Sequence, residues 1–187
     1  MKGSKTSKNN KNKLIISLGD PAGIGTEIIL KALGSKYLNK NIQPLLVGCK
    51  NNIYTTYSKL IKHGINNLPN PNKLDIVDIP LNKKIILGEV DEFTGSASFK
   101  WLLNAINILL EGKANSLVTA PISKIAWHKA GHEFAGQTEL LGKLTNRRTS
   151  MLFTALSPNN GWRFNTLLVT THIPLNKINY TLSKELI

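Results

Sequence analysis

Apolar positions first gather at Leu14-Ile15-Ile16-Ser17-Leu18, a short run suited to a buried strand, and the segment Gly19-Asp20-Pro21-Ala22-Gly23-Ile24-Gly25 follows it. Ile29, Leu30 and Leu33 then recur at helical spacing, which predicts a helix from about Thr26 through Leu33. Pro44 to Gly48 reads as a second buried strand and Ile53 to Ile61 as a second helix. The turn residues from Asn66 to Asn72 mark a loop, with Leu74 to Ile79 and Lys84 to Leu87 as weaker strand candidates after it.

The alternation continues in the second half. Phe99, Leu102, Leu103, Ile106, Leu109 and Leu110 trace an amphipathic face, so Ser96 to Glu111 is expected as a helix. Ser116 to Ala120 reads as a strand closed by Pro121, and short helices are expected over Ser123 to Lys129 and Thr138 to Leu144. Met151 to Leu156 and Thr166 to Thr170 are strands, and the turn residues between them suggest an antiparallel hairpin. Pro174 can open a last helix that buries Ile178, Leu182 and Leu186.

Strands alternating with helices argue for an α/β fold with a mixed, mostly parallel sheet and flanking helices. The pattern divides into a polar tail over 1–13, a first α/β lobe over 14–115, and the start of a second lobe over 116–187. The last expected helix runs into Ile187 without a glycine cap, breaker or polar tail, the pattern of a truncated lobe.

Composition changes this picture only modestly. Lys and Arg number 24 against 11 Asp and Glu, a net charge of +13. Lys2, Lys5, Lys8, Lys11 and Lys13 all lie in the opening tail, which has no periodic apolar face and is expected to be disordered. The other lysines are scattered with few aromatic residues to stack on bases, so nucleic acid is not the expected partner. No apolar run approaches the ~18–20 residues of a membrane span, and the N-terminus lacks the apolar stretch of a secretory signal. A single cysteine, Cys49, excludes an internal disulfide and a multi-thiolate zinc site. A cytoplasmic protein that does not bind membranes is the expectation.

Several short segments can carry chemistry. The loop at Gly19, Gly23 and Gly25 follows a strand and opens a helix, where backbone N–H groups can hold an anion, although a tight turn would need the same glycines. Its spacing is neither G-x-G-x-x-G nor a P-loop. Lys124 follows Thr119-Ala120-Pro121-Ile122-Ser123 at the carboxyl end of a strand and can receive a phosphate or carboxylate, or simply be a solvated helical lysine. Gln137 and Thr138 offer an amide and a hydroxyl at the start of a helix, either for a polar substrate or, for Thr138, as a cap. Among the four histidines, His63 reads as a surface residue, and the pair His128 and His132 is interrupted by Gly131. His172 stands at the ligand-facing end of an apolar strand, suited to metal binding, proton transfer or a structural hydrogen bond.

Taken together, five segments in order resemble the 4-hydroxythreonine-4-phosphate dehydrogenase family of vitamin B6 biosynthesis. They are Gly19 to Gly25, Gly88 with Gly95, Val118 to Lys124, Gly136-Gln137-Thr138-Glu139, and Thr170-Thr171-His172-Ile173-Pro174-Leu175. The resemblance covers nearly all of this chain and about the first half of the family's usual length. It implies an isocitrate/isopropylmalate dehydrogenase-like fold and a homodimer. It implies NAD- or NADP-dependent oxidation of a phosphorylated hydroxy amino acid, followed by decarboxylation. It also implies a divalent metal (zinc, magnesium or cobalt) held by three histidines. His172 matches the first of these ligands, and Gln137 and Thr138 match the substrate-contacting pair. Lys124 is a candidate for holding an anionic group or moving a proton. Two departures stand out: many members have His at the position of Gln137, and the other two metal ligands and most cofactor contacts belong to the family's second half. The alternatives are a dehydrogenase of threonate or erythronate 4-phosphate and a non-catalytic remnant.

Overall fold

The computed structural model describes residues 12–39 and 41–186. Most of the expected tail therefore lies outside the described residues, and Asn12 and Lys13 already belong to the first strand.

The run Leu14 to Leu18 has no polar alternation because its strand is covered on both sides. That strand, β1 (Asn12–Ser17), pairs in parallel with β2 (Ile42–Gly48) on one side and with β4 (Ser116–Thr119) on the other. β3 (Asp75–Asp78) extends the sheet beyond β2, giving the order β3-β2-β1-β4 with every pairing parallel. Ile16 stands opposite both Leu46 and Val118. Successive strand residues feed different clusters, as the pleat requires. Ile16, Leu18 and Leu46 pack with Ile29 and Leu30 of α1 (Gly25–Leu33) and Ile53 of α2 (Lys50–Lys62). Ile15 and Val47 pack with Ala105 of α3 (Glu92–Leu110).

The longest helix begins four residues before the expected Ser96 because Asp91 caps it. The Asp91 carboxylate accepts from the Thr94 N–H at 2.7 Å, and the Thr94 hydroxyl accepts from the Asp91 N–H at 3.3 Å, a reciprocal capping box. Its buried face runs through Trp101, Leu102, Ala105 and Ile106, whereas Leu110 is exposed. The candidate strand Lys84 to Leu87 does not form. That segment instead leaves the sheet, and Gly88 N–H donates to the Ala22 carbonyl of the glycine loop at 2.9 Å.

The contacts divide the chain after Gly136, not before Ser116. The reason is β4, which is a strand of the first sheet rather than the opening of a second. After β4 the first unit ends with α4 (Lys124–Lys129), whose approach to α3 depends on Gly95: a side chain there would run into the Ala126 carbonyl.

The second unit holds α5 (Gln137–Thr145) and an antiparallel hairpin of β5 (Met151–Leu156) and β6 (Arg163–Leu168), with Phe153 opposite Thr166. The expected mixture of strand directions is thus resolved into a parallel sheet and a separate antiparallel pair. β6 starts and ends earlier than Thr166 to Thr170, so Val169 and Thr170 lie outside the ladder together with Thr171 and His172. Pro174 leads into a 3-10 turn (Leu175–Lys177) and the single turn α6 (Ile178–Thr181), not a longer helix. Ile178 and Leu186 are half-buried and Leu182 is exposed, so the expected burial of this stretch is not observed. Among the described residues no helix is long and apolar enough to cross a membrane.

Candidate functional site

In the first unit, two of the sequence motifs meet. β1 and β4 are neighbours, although the chain visits β2 and β3 between them, so the succession of strands reverses at this pair. Open α/β sheets bind ligands outside the carboxyl ends of strands at such reversals. Here the Asp20 N–H donates to the Pro121 carbonyl at 2.9 Å, tying the glycine loop to the segment that follows β4. Gly19 has a φ of +73° and lies against Ala120 and Pro121, leaving no room for a side chain. The loop is also closed on itself: the Asp20 carboxylate accepts from the Ala22 N–H at 2.9 Å, and Gly23 N–H donates to the Asp20 carbonyl at 3.1 Å. Of the two readings of these glycines, the tight turn is the one these hydrogen bonds display. Asp20 is buried, and burial holds its carboxyl above the ordinary aspartate value.

Lys124 is the first residue of α4 and is exposed; the cap is Ser123, whose hydroxyl accepts from the Ala126 N–H at 3.2 Å. His128 is exposed on the same helix. His132, beyond the helix, is occupied structurally: its ring stacks on Phe99 with centroids 3.6 Å apart and an interplanar angle of 10°. Trp127 meets the same Phe99 edge-on at 5.2 Å. Burial pulls the His132 imidazole below its ordinary value. His63 is a surface residue, its Nδ1 2.8 Å from the Lys59 carbonyl.

In the second unit, Thr138 and His172 line one cleft of about 330 Å³. α5 brings Thr138 there from its first turn; the helix begins one residue earlier, so Thr138 is not its cap. His172 arrives from just past β6, with a left-handed φ of 58° that is uncommon for a residue with a side chain. Gln137 is the first residue of α5 and is not part of the cleft lining. Between Thr138 and His172 stand three residues that the motif reading passed over: Arg148, Thr149 and Ser150. The Thr149 hydroxyl donates to the Thr138 carbonyl at 3.4 Å, joining this segment to α5. A guanidinium with adjacent hydroxyls is a donor set for a phosphate or carboxylate. Its only sequence signal is the run Arg147-Arg148-Thr149-Ser150 immediately ahead of β5.

As a complete centre for zinc, magnesium or cobalt, the described residues do not suffice. His172 supplies one imidazole, and among the described residues no group of three or more His, Cys, Asp or Glu could hold a metal ion.

Comparison with known proteins gives this arrangement its context. The sequence model of the family described as pyridoxal phosphate biosynthetic protein PdxA matches residues 32–187. The chain belongs to this family. A 4-hydroxythreonine-4-phosphate dehydrogenase of Synechococcus sp. (strain RCC307) is 48% identical over 174 residues, covering 92% of this chain and 52% of that protein. A D-threonate 4-phosphate dehydrogenase of Pectobacterium atrosepticum is 32% identical, covering 92% of this chain and 54% of that one. Among solved structures, a 4-hydroxythreonine-4-phosphate dehydrogenase from Klebsiella pneumoniae superposes with a TM-score of 0.77 at 28% identity, over 96% of this chain and 56% of its own. The chain spans about half the length of the curated relatives it matches. Membership of the PdxA family and the α/β fold are thus established together.

Proposed function

We propose that this chain supplies the first half of an NAD- or NADP-dependent 4-hydroxythreonine-4-phosphate dehydrogenase. The reaction is oxidation of 4-phosphooxy-threonine to 2-amino-3-oxo-4-phosphooxybutanoate, which then loses carbon dioxide, in pyridoxal 5′-phosphate biosynthesis. The observation that carries this reading is the meeting of Thr138 and His172 with Arg148 in one cleft, in a chain of the PdxA family. Such a cleft suits a small, acyclic, doubly anionic molecule. Arg148 can grip the phosphate or the carboxylate through two parallel N–H···O bonds, and the hydroxyls of Thr138, Thr149 and Ser150 can fill the remaining acceptor positions. Glu139, also on the lining, is matched to an ammonium group, which the amino acid has and a sugar acid lacks. This favours the amino acid over threonate or erythronate 4-phosphate, as does the higher identity to the Synechococcus relative.

His172 is proposed as the one imidazole that this chain contributes to a divalent metal. Gln137 and Thr138 are proposed as substrate contacts, with Gln137 able to donate and accept hydrogen bonds but unable to carry a proton at neutral pH. Lys124, exposed at the start of α4, is retained only as a proposed anion or proton-transfer group. The working enzyme is proposed to be a cytoplasmic homodimer.

The test is a chimaera in which this chain replaces the matching half of the Synechococcus relative. Formation of NAD(P)H is followed at 340 nm (a standard nicotinamide readout) with 4-phosphooxy-threonine and with D-threonate 4-phosphate. Faster turnover of the amino acid is expected; faster turnover of the sugar acid would replace this reading with the alternative.

A further inference from the structure

The chain returns from α5 to the cleft of Thr138 and His172 through one strained residue. Asn146, which follows the last residue of α5, has a left-handed φ of 50°. Among the described residues the only other non-glycine with a positive φ is His172, which lines the same cleft. Left-handed backbone in a residue with a side chain costs free energy and persists only where the surroundings hold it. We propose that Asn146 is a positioning residue: it closes α5 in a turn that delivers Arg148, and not its neighbour Arg147, to the substrate. This rests on the reading of the cleft as the site of the phosphorylated substrate.

The hydrogen bonds identify the turn. The Asn146 N–H donates to the Lys143 carbonyl at 3.4 Å, and the Arg147 N–H donates to the Gly142 carbonyl at 3.2 Å. These are the two bonds of a Schellman motif, in which the residue just past the helix takes the left-handed conformation. Asparagine enters that region more readily than most residues with a side chain. The Thr145 hydroxyl donates to the Leu141 carbonyl at 2.8 Å and holds the last residue of the helix as well. The chain therefore turns back along α5 instead of running on past its end.

Gly142 lets the returning segment lie close. Glycine is a poor helix former, yet this one sits inside α5. A side-chain carbon there would come within 3.3 Å of both the Arg147 carbonyl oxygen and the Thr149 hydroxyl, tighter than ordinary contact. One helical turn earlier, the Thr149 hydroxyl donates to the Thr138 carbonyl at 3.4 Å. Arg148 is thus anchored on both sides, by the Arg147 N–H before it and the Thr149 hydroxyl after it.

Between these anchors Arg148 lines the cleft and Arg147 does not. Arg148 is exposed and, among the described residues, in no ion pair, so its backbone rather than a side-chain partner fixes where the guanidinium begins. A two-bond grip on an anion depends on that starting point, since a misplacement of about 1 Å can cost as much as roughly 100-fold. Losing the left-handed residue would break both Schellman bonds and release the register that separates the two arginines.

The experiment measures KM and kcat for 4-phosphooxy-threonine in the full-length chimaera, with Tm from circular dichroism. Asn146→Val, whose branched side chain is excluded from the left-handed region, should raise KM at least roughly tenfold while kcat stays within about twofold. Asn146→Gly keeps the left-handed freedom and should hold KM within about twofold of the parent. Gly142→Ala should raise KM about threefold or more without lowering Tm, because alanine favours the helix while crowding Thr149; it decides the matter where Asn146→Val fails to fold. In an Arg148→Ala background Asn146→Val should add less than about twofold to KM, and Arg147→Ala should leave KM unchanged. Unchanged KM in Asn146→Val or in Gly142→Ala, a raised KM in Asn146→Gly or in Arg147→Ala, or additivity with Arg148→Ala would each overturn the positioning role and leave the reading of the cleft standing. Unchanged KM in Arg148→Ala itself would overturn both.

Discussion

Ser98→Ala isolates the contact that locks α4 onto α3. Ser98 and Trp127 are both wholly buried, and the indole N–H donates to the serine hydroxyl at 2.8 Å. That hydroxyl in turn donates to the Gly95 carbonyl at 3.0 Å, beside the point where Gly95 lets the two helices approach. Alanine at 98 leaves the indole N–H without an acceptor where water cannot reach it, at a cost of about 1–3 kcal/mol. The better helix propensity of alanine offsets up to about 0.5 kcal/mol of this. For a chain of this size the balance corresponds to a fall of roughly 2–8 °C in Tm. Trp127→Phe removes the donor instead and leaves a small void, so it is destabilising alone. Once the donor is gone, Ser98→Ala should cost less, and the double variant should be more stable than the sum of singles by about 1 kcal/mol. Urea and thermal unfolding followed by far-ultraviolet circular dichroism measure all four proteins. A neutral Ser98→Ala, or strict additivity, would show that this hydrogen bond does not hold the helices together.

Replacing His132 by Phe tests the sign of its proton linkage. Because the folded imidazole is held below its ordinary value near 6.5, its stability contribution is complete above that pH and is lost as pH falls through it. His132→Phe should keep the stack on Phe99 and narrow the difference in Tm between pH 7.5 and pH 5 (about one unit above and 1.5 below the ordinary value); an unchanged difference would remove His132 from the acid response. In the chimaera, Arg148→Ala should raise KM about 10- to 150-fold, the equivalent of a charge-assisted contact of about 1.5–3 kcal/mol. Thr138→Ala should raise it less, and unchanged KM for both would dissociate the cleft from the substrate. His172→Ala in the same chimaera should abolish metal-dependent turnover with the circular dichroism spectrum retained. The 187-residue chain alone should bind zinc, magnesium or cobalt weakly and reduce NAD(P) little, since one imidazole is a poor metal site; tight metal binding with robust turnover would reveal donors other than those identified.

How far the sequence speaks for the structure depends on whether a feature is local. β1 and α1 fall close to where the apolar runs and helical spacing put them, because both faces of a central strand and one face of a helix write themselves into consecutive residues. Lys84 to Leu87 has the composition of a strand, yet strand formation needs a neighbour with free hydrogen-bonding groups. Here the segment peels off the sheet to line a cleft. The Ile178, Leu182 and Leu186 spacing shows the same limit: periodicity supplies an apolar face, but only a surface packed against it makes the face a core. Candidate chemistry divides in the same way. Thr138 and His172 were legible as motif members, and Arg148 was not, because its meaning comes from a fold that brings the residues before β5 beside the start of α5 and the end of β6. Asp20 carries this furthest. In the sequence it belongs to a loop that could hold an anion. In the structure its own carboxylate occupies the Ala22 N–H, its carbonyl takes the Gly23 N–H, and its burial disfavours the charged form, so these two donors of the loop are already satisfied within it.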